Sequence, residues 1–148
     1  MAAGQDEIAR RIVDEAADAI LSCDPDGVIR LWNSGAERMF GFTADEAIGK
    51  SLDIIVPERL RGRHWDGWEH ALAAGKSRYG AGELLAVPAI RKDGSTLSIE
   101  FTIVMLREGT SGVAAVAAII RDVTTRWNKE KELRARLKEL EQRAAAGG

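Results

Sequence analysis

Between Thr96 and Leu106 an apolar side chain falls on every second residue: Leu97, Ile99, Phe101, Ile103 and Met105. A period of two places all five on one face of an extended strand and fits no amphipathic helix. The run follows Arg91-Lys92-Asp93-Gly94, a turn tetrad, and the apolar stretch ELLAVPAI, so the two stretches predict a β-hairpin. Pro88 cannot donate to a ladder, which assigns its strand to an edge or a bulge. A second hairpin is predicted where AILSC and VIRLW flank Asp24-Pro25-Asp26-Gly27. After a Gly-rich turn at 109–112, the small residues of VAAVAAII predict a strand buried on both faces.

Helical signals fill the remaining segments. Ile8, Ile12, Val13 and Ala16 form one apolar stripe on a charged helix that must dock on something. Asn33-Ser34 with Glu37, and Thr43 with Glu46, read as capping boxes of two short helices ending near Gly41 and Gly49. Pro57 opens a longer helix reaching about Ala74, with Gly75 as its stop and Leu60, His64, Trp68, Ala71 and Leu72 on its inner stripe. From Thr124 onward, Leu133, Leu137, Leu140 and Ala144 follow the spacing of a coiled-coil seam. Three Glu/Arg pairs, 130/134, 132/136 and 139/143, stand four apart beside it. The terminal Ala-Ala-Ala-Gly-Gly reads as a place where a longer protein was cut or a linker begins.

Composition removes several classes of function. With 148 residues, 45% apolar and 30% charged, the chain can bury a core and is not a disordered tail. Its 21 Lys+Arg against 23 Asp+Glu leave no basic surplus for nucleic acid. Cys23 is the single cysteine, so no intrachain disulfide is possible. The longest apolar run, 113–120, is too short to cross a bilayer, and the acidic start lacks a secretion signal. A cytoplasmic protein without membrane or nucleic-acid partners is expected.

The stretch from Asn33 to Gly49 resembles the N-x-x-A-E-x-x-x-G-[FY]-[ST]-x-x-E-x-x-G pattern of S-box PAS domains, carried by Asn33, Ala36, Glu37, Gly41, Phe42, Thr43, Glu46 and Gly49. Arg91–Gly94 resembles the family's usual turn, and Asp122-Val123-Thr124 its D-[IV]-T exit motif. The resemblance implies an α+β fold: a five-stranded antiparallel sheet with short helices on one face, enclosing a small cavity. It divides the chain into an N-terminal flanking helix (1–17), a PAS domain (18–123) and a C-terminal coiled-coil signalling helix (124–148). It further implies a sensor that dimerises and relays to an effector in a longer protein, such as a histidine kinase of a two-component system or a cyclase.

For a site, the longer helix resembles that of bacterial haem-binding PAS oxygen sensors, in which a histidine is the iron ligand and a second polar position follows six residues later. Here these are His64 and His70. At about 100° per residue, only His64 shares a face with Leu60 and Trp68, while His70 lies nearer the rim. The resemblance makes haem b the candidate cofactor, with His64 on the iron and Trp68, His70, Leu85, Ile103 and Met105 around it. The facing strand departs from the oxygen-sensor pattern, since Leu85 stands where those proteins place arginine. Arg59, Arg61 and Arg63 could pair with propionates or form a solvated face. Met105 could be a sixth ligand or core packing, and Trp65 and Trp68 could line a ligand or fill space.

The remaining chemistry is thin. Blue-light flavin PAS domains need an N-C-R-F-L-Q cysteine, and Cys23 is in the first strand. Gly75-Lys76-Ser77 ends a helix where a phosphate loop begins one. Two histidines six apart make a poor metal pair, and no catalytic elbow or Cys/His pairing is present. No enzymatic activity is expected. The alternatives are a cofactor-free relay and, more remotely, a small enzyme built on His64 and Glu83. Asp122 and Thr124 are the expected signal exit, and Ile8, Ile12, Leu133, Leu137 and Leu140 the expected homodimer contacts.

Overall fold

The structure is a computed structural model that describes residues 4–75, 85–109 and 112–147. Five strands, β1 (Ala19–Cys23), β2 (Ile29–Trp32), β3 (Leu85–Ile90), β4 (Thr96–Arg107) and β5 (Val113–Asp122), form one antiparallel sheet in the order β2-β1-β5-β4-β3. Both expected hairpins are present, and Pro88 sits on an edge strand, where its missing donor costs no ladder bond. The first and last strands pair at the centre, with Ala19 opposite Ile120. The chain therefore enters and leaves the sheet at the same end.

Among the described residues, five α-helices accompany the sheet: α1 (Gln5–Glu15), α2 (Ser34–Phe40), α3 (Ala44–Ala47), α4 (Arg61–Ala74) and α5 (Thr124–Ala146), with 3₁₀ turns at Leu52–Ile55 and Glu58–Leu60. The core lies between one sheet face and the short helices. Leu21, Cys23, Ile29, Trp32, Leu97, Ile99 and Ile120 pack against Ala36, Phe40, Ala47, Leu52 and Ile55.

Local chemistry differs from expectation in two places. The box on Thr43 and Glu46 forms. The one on Ser34 and Glu37 does not: Asn33 is the N-cap of α2, and Glu37 accepts from the Ala44 amide at 2.7 Å instead. The second correction concerns β5. Only its inner face is covered, by way of Val116, Ala118 and Ile120, whereas Ile119 on the other face is 41% exposed. An apolar strand of small residues is buried on both faces only if something packs on each. The core helices lie on the inner face.

Asn33, only 2% exposed, fastens these parts together. Its Oδ1 accepts from the amides of Ile20 and Ala36, both at 2.8 Å, and its Nδ2 donates to the carbonyls of Val13 at 2.7 Å and Asp18 at 3.0 Å. One carboxamide thus joins α1, the start of β1 and the start of α2. Gly35 keeps the approach open, because a Cβ there would lie 2.2 Å from the Asp18 carbonyl oxygen. On the sheet side, Arg121 makes two bonds to the Asp18 carboxylate, at 3.2 and 3.1 Å.

Asn33→Ala leaves two amides and two carbonyls without their partner. At about 1–3 kcal/mol for an unsatisfied buried group, less what water recovers, the loss should be about 2–4 kcal/mol in urea unfolding. Ser34→Ala should cost less than about 0.5 kcal/mol. Equal effects would show that Asn33 is an ordinary helix cap.

Candidate ligand site and signal exit

Helix α4 starts after Pro57 and the 3₁₀ turn and stops at Gly75, whose φ of 69° closes the last turn in the left-handed region. None of its residues is fully buried. Its half-buried stripe runs through Arg61, His64, Trp65, Trp68, Ala71 and Leu72, so His64 faces inward as expected. His70 is exposed, with Nδ1 2.8 Å from the Asp66 carbonyl oxygen.

Two indoles attach this helix to its surroundings. Trp65 donates to Asp53 Oδ1 at 2.7 Å, and Trp68 donates to the Pro25 carbonyl at 2.8 Å. The Trp65 ring also covers Gly27 so closely that a Cβ there would lie 2.3 Å from it, and Gly27 has φ 81°. Glycine is thus required twice, by backbone and by contact. The His64 ring stands edge-on to Trp65 at 4.6 Å between centroids and tilted to Trp68 at 6.0 Å. Sequence reasoning placed Trp65 near the site but missed Asp53, Pro25 and Gly27. Their part is tertiary, and no periodicity announces it.

His64 Nδ1 is buried and has no hydrogen-bond partner. Burial pushes the imidazole below its ordinary range, and the nearby Asp53 carboxylate opposes this only in part. The ring is therefore held neutral with a free nitrogen. Along the inner face of β4 burial grades off: Leu97 and Ile99 are buried, whereas Phe101, Ile103 and Met105 are half-buried. Leu85 of β3 pairs with Phe101 and is also half-buried, and inward-facing Val87 is 42% exposed. This half of the inner face is an apolar wall that the core does not fill. Arg61 is already engaged with the carbonyls of Val56 and Asp53, whereas Arg59 and Arg63 are exposed. Glu83, Gly80-Ala81-Gly82 and Lys76-Ser77 lie outside the described residues, as does the middle of the 109–112 turn. Cys23 is buried, which pushes its thiol up to about 12 and leaves it inert.

At the exit, Asp122 Oδ1 accepts from the Thr124 amide at 2.9 Å and from its hydroxyl, while Thr124 Oγ1 accepts from the Ser98 amide at 2.9 Å. The N-cap residue of α5 by backbone geometry is Val123, not Asp122 or Thr124, although the Asp122 carboxylate satisfies the first helical amide. Arg91 reaches the other Asp122 oxygen at 3.2 Å and the Met39 carbonyl at 3.2 Å. Burial pushes the Asp122 carboxyl up, but the Thr124 bonds and the Arg91 charge outweigh it and hold the group below the usual range. Beyond this knot Leu133, Leu137 and Leu140 are exposed, as are Ile8 and Ile12 on α1. Glu130/Arg134 and Glu139/Arg143 pair as expected; Glu132/Arg136 does not close, and Arg126/Glu130 does.

The sheet order, the helices on its inner face and the exit motif define a PAS domain. The PAS fold family matches residues 13–128, and the chain belongs to that family. It is 31% identical over 132 residues to the sensor protein FixL of Bradyrhizobium diazoefficiens, covering 89% of this chain and 25% of FixL. To the oxygen sensor protein DosP of Escherichia coli it is 27% identical over 78% of this chain and 14% of DosP. To the cell-division control histidine kinase PdhS of Brucella ovis it is 30% identical over 91% of this chain and 13% of PdhS. The chain thus spans a quarter or less of these relatives. Among solved structures, a PAS domain from Colwellia psychrerythraea superposes with a TM-score of 0.70 over 82% of this chain and 99% of that one, at 22% identity. An RNA-binding light-oxygen-voltage receptor gives 0.76 over 90% and 37%, at 23%. Likeness at this level shows the fold. Among the described residues, no helix is long and apolar enough to cross a membrane.

The neutral state of His64 sets a pH dependence. As pH falls below the ordinary imidazole value of about 6.5, the unfolded chain takes up this proton before the folded one does. His64 thus contributes stability above that value and loses it as pH falls toward the lower folded value. Between about pH 7 and 5, the parent should lose more stability than His64→Gln, and NMR should show His64 titrating below the ordinary range. Equal pH slopes for the two proteins would contradict the burial.

Proposed function

We propose that this chain is the sensory PAS module of a longer cytoplasmic signalling protein, that it binds haem b through His64, and that it works as a homodimer. The observation that carries the cofactor is the His64 imidazole, neutral, with an unpartnered ring nitrogen on the inner stripe of α4. Among the described residues, no three His, Cys, Asp or Glu side chains converge to hold a bare metal ion, so an iron on His64 must bring its other ligands with it. Haem does so, and supplies a redox-active iron with a position for a small gas. Leu85, Ile103 and Met105 provide the apolar wall, Trp68 backs the imidazole, and His70 with Arg63 stands at the polar rim. Similarity to an oxygen sensor, DosP, agrees with a gas or redox signal. Leu85 offers no hydrogen-bond donor, which favours carbon monoxide, nitric oxide or redox state over oxygen.

Relay leaves through Asp122 and Thr124 into α5, and catalysis belongs to an effector such as a histidine kinase or cyclase. FixL and PdhS, in which the matched segment is a small part, support this arrangement. A cofactor-free relay is favoured by one observation: both indole N–H groups beside His64 already have protein partners, as in an ordinary core.

Absorption from about 300 to 650 nm decides between these readings. After reconstitution with haem, the parent and His70→Ala should show the Soret band of the bound form and His64→Ala should not. A parent that takes up no haem would leave the cofactor-free relay.

The dimer rests on exposed leucines, each contributing roughly 1.5–3 kcal/mol when buried. Sedimentation at micromolar concentration should show two chains for the parent and one for the double variant Leu137→Lys, Leu140→Lys. An unchanged mass would remove the α5 seam from the interface.

A further inference from the structure

One half-buried carboxylate on the outer face of the sheet stands between two arginines. Glu100 of β4, its side chain only 17% exposed, pairs in register with Arg121 of β5 and forms an ion pair with Arg126 of α5. Side chains directly opposite on neighbouring strands lie about 5 Å apart at Cβ, so both guanidiniums are within reach of the same carboxylate. Each arginine also has a second acid. Arg121 makes its two bonds to the Asp18 carboxylate, and Arg126 lies 3.9 Å from Glu130, four residues on along α5. The run Asp18, Arg121, Glu100, Arg126, Glu130 leads from the point where the chain enters the sheet to the second turn of the helix that leaves it.

The position of Glu100 gives this run a mechanical meaning. The start of α5 is tied to Ser98 of β4: the Val123 amide donates to the Ser98 carbonyl at 2.9 Å, and the Ser98 amide donates to Thr124 Oγ1. Glu100 stands two residues further along that strand, and Arg126 two residues further along the helix. A helix held only at its first residue can swing about it. Two holds about 7 Å apart on β4 fix its direction.

Glu100 can serve only one arginine fully. While Asp18 occupies Arg121 with both oxygens, Glu100 is left to Arg126. Among the described residues, Glu100 is the other carboxylate that acts on Arg121. With Asp18 withdrawn, Arg121 takes Glu100, and Arg126 falls back on Glu130 within α5. Every arginine stays paired in both arrangements, and surface ion pairs are individually weak, so the two lie close in energy. Asp18 is itself registered to the helices of the N-terminal half, because Asn33 holds its carbonyl.

We propose that Glu100 is a positioning residue of the signal exit, shared between Arg121 and Arg126, and that α5 keeps its direction only while Asp18 occupies Arg121. The acid at the entry to the sheet then governs the helix at its exit through two intermediaries. Its use in signalling rests on the relay through α5 proposed above; the geometry does not.

Spin labels on Lys50→Cys and Lys138→Cys, both exposed positions, report where α5 lies against the sheet, and the native Cys23 is buried and unreactive. Labelled chains are diluted into unlabelled ones, so that pulsed electron resonance reads distances within one chain. The parent should give one narrow distribution. In Glu100→Gln the population outside that peak should rise about two- to fivefold, the range of a single exposed ion pair. Asp18→Asn should do the same, although its partner is Arg121 of β5 and not a residue of α5. Arg121→Gln alone should keep the parent's distribution, and added to Asp18→Asn it should restore it, because the competitor for Glu100 is gone. Circular dichroism checks that each variant keeps the parent's spectrum. The Asp18 variants leave Glu100 untouched and stand even where Glu100→Gln unfolds.

An α5 that stays in place in Asp18→Asn or in a folded Glu100→Gln overturns the inference. So does an α5 displaced equally in Asp18→Asn and in the double variant, which would make Arg121 a bystander. The expected order of distances in a parent that takes up no haem, sediments as a monomer, or leaves the output of a fused effector unchanged supports the inference and removes the corresponding part of the preceding reading.

Discussion

Everything that enters or leaves the sheet near its centre depends on how Asn33 spends its four hydrogen-bonding positions. Two of its bonds accept from backbone amides and two donate to backbone carbonyls, from α1, β1 and α2. A buried carboxamide is tolerable only when such bonds are complete. Completeness here fixes geometry, because moving any one of the three elements breaks a bond to the same side chain. Asp18 is bound on both sides, its carbonyl by Asn33 and its carboxylate by Arg121 of β5. The N-terminal flank is thereby registered against the strand that feeds the C-terminal flank.

The site on α4 has a looser attachment of another kind. No residue of that helix is fully buried, and its position is set by two indole N–H bonds and by the face of Trp65 on Gly27. Those contacts go to the β1–β2 turn and to Asp53, away from the apolar wall of β3 and β4. His64 thus packs against the two tryptophans, while Phe101, Ile103 and Met105 of β4 are left half-buried. An imidazole so placed is neutral for a plain reason: burial disfavours its charge more than Asp53 favours it.

Much of this was legible in the sequence, and the rest was not for identifiable reasons. The hairpins were readable because Asp-Pro-Asp-Gly and Arg-Lys-Asp-Gly interrupt period-two runs, and turn chemistry is local. The inward face of His64 followed from 3.6-residue periodicity alone. Asn33, by contrast, shows as a helix cap at sequence level, since three of its four partners lie thirteen or more residues away. Glu37 looked like half of a capping box because spacing cannot reveal that the Ala44 amide is nearer. The small, apolar residues of β5 suggested two covered faces, but composition does not reveal on which side the core helices pack, and they pack on one.

The exit knot turns α5 into a lever. Asp122, Thr124, Ser98 and Arg91 clamp its first residue to the last strand, to β4 and, through the Met39 carbonyl, to α2. Beyond the clamp run 23 helical residues, about 35 Å of rod at 1.5 Å per residue. Over that length a rotation of about 5° at the root carries the tip about 3 Å, more than half of the 5.4 Å pitch of a helix. A change too small to register as a rearrangement of the sheet would therefore arrive at the far end as a shift comparable to the spacing between successive turns. The amplification comes from length and from a stiff root, with no hinge anywhere along the way.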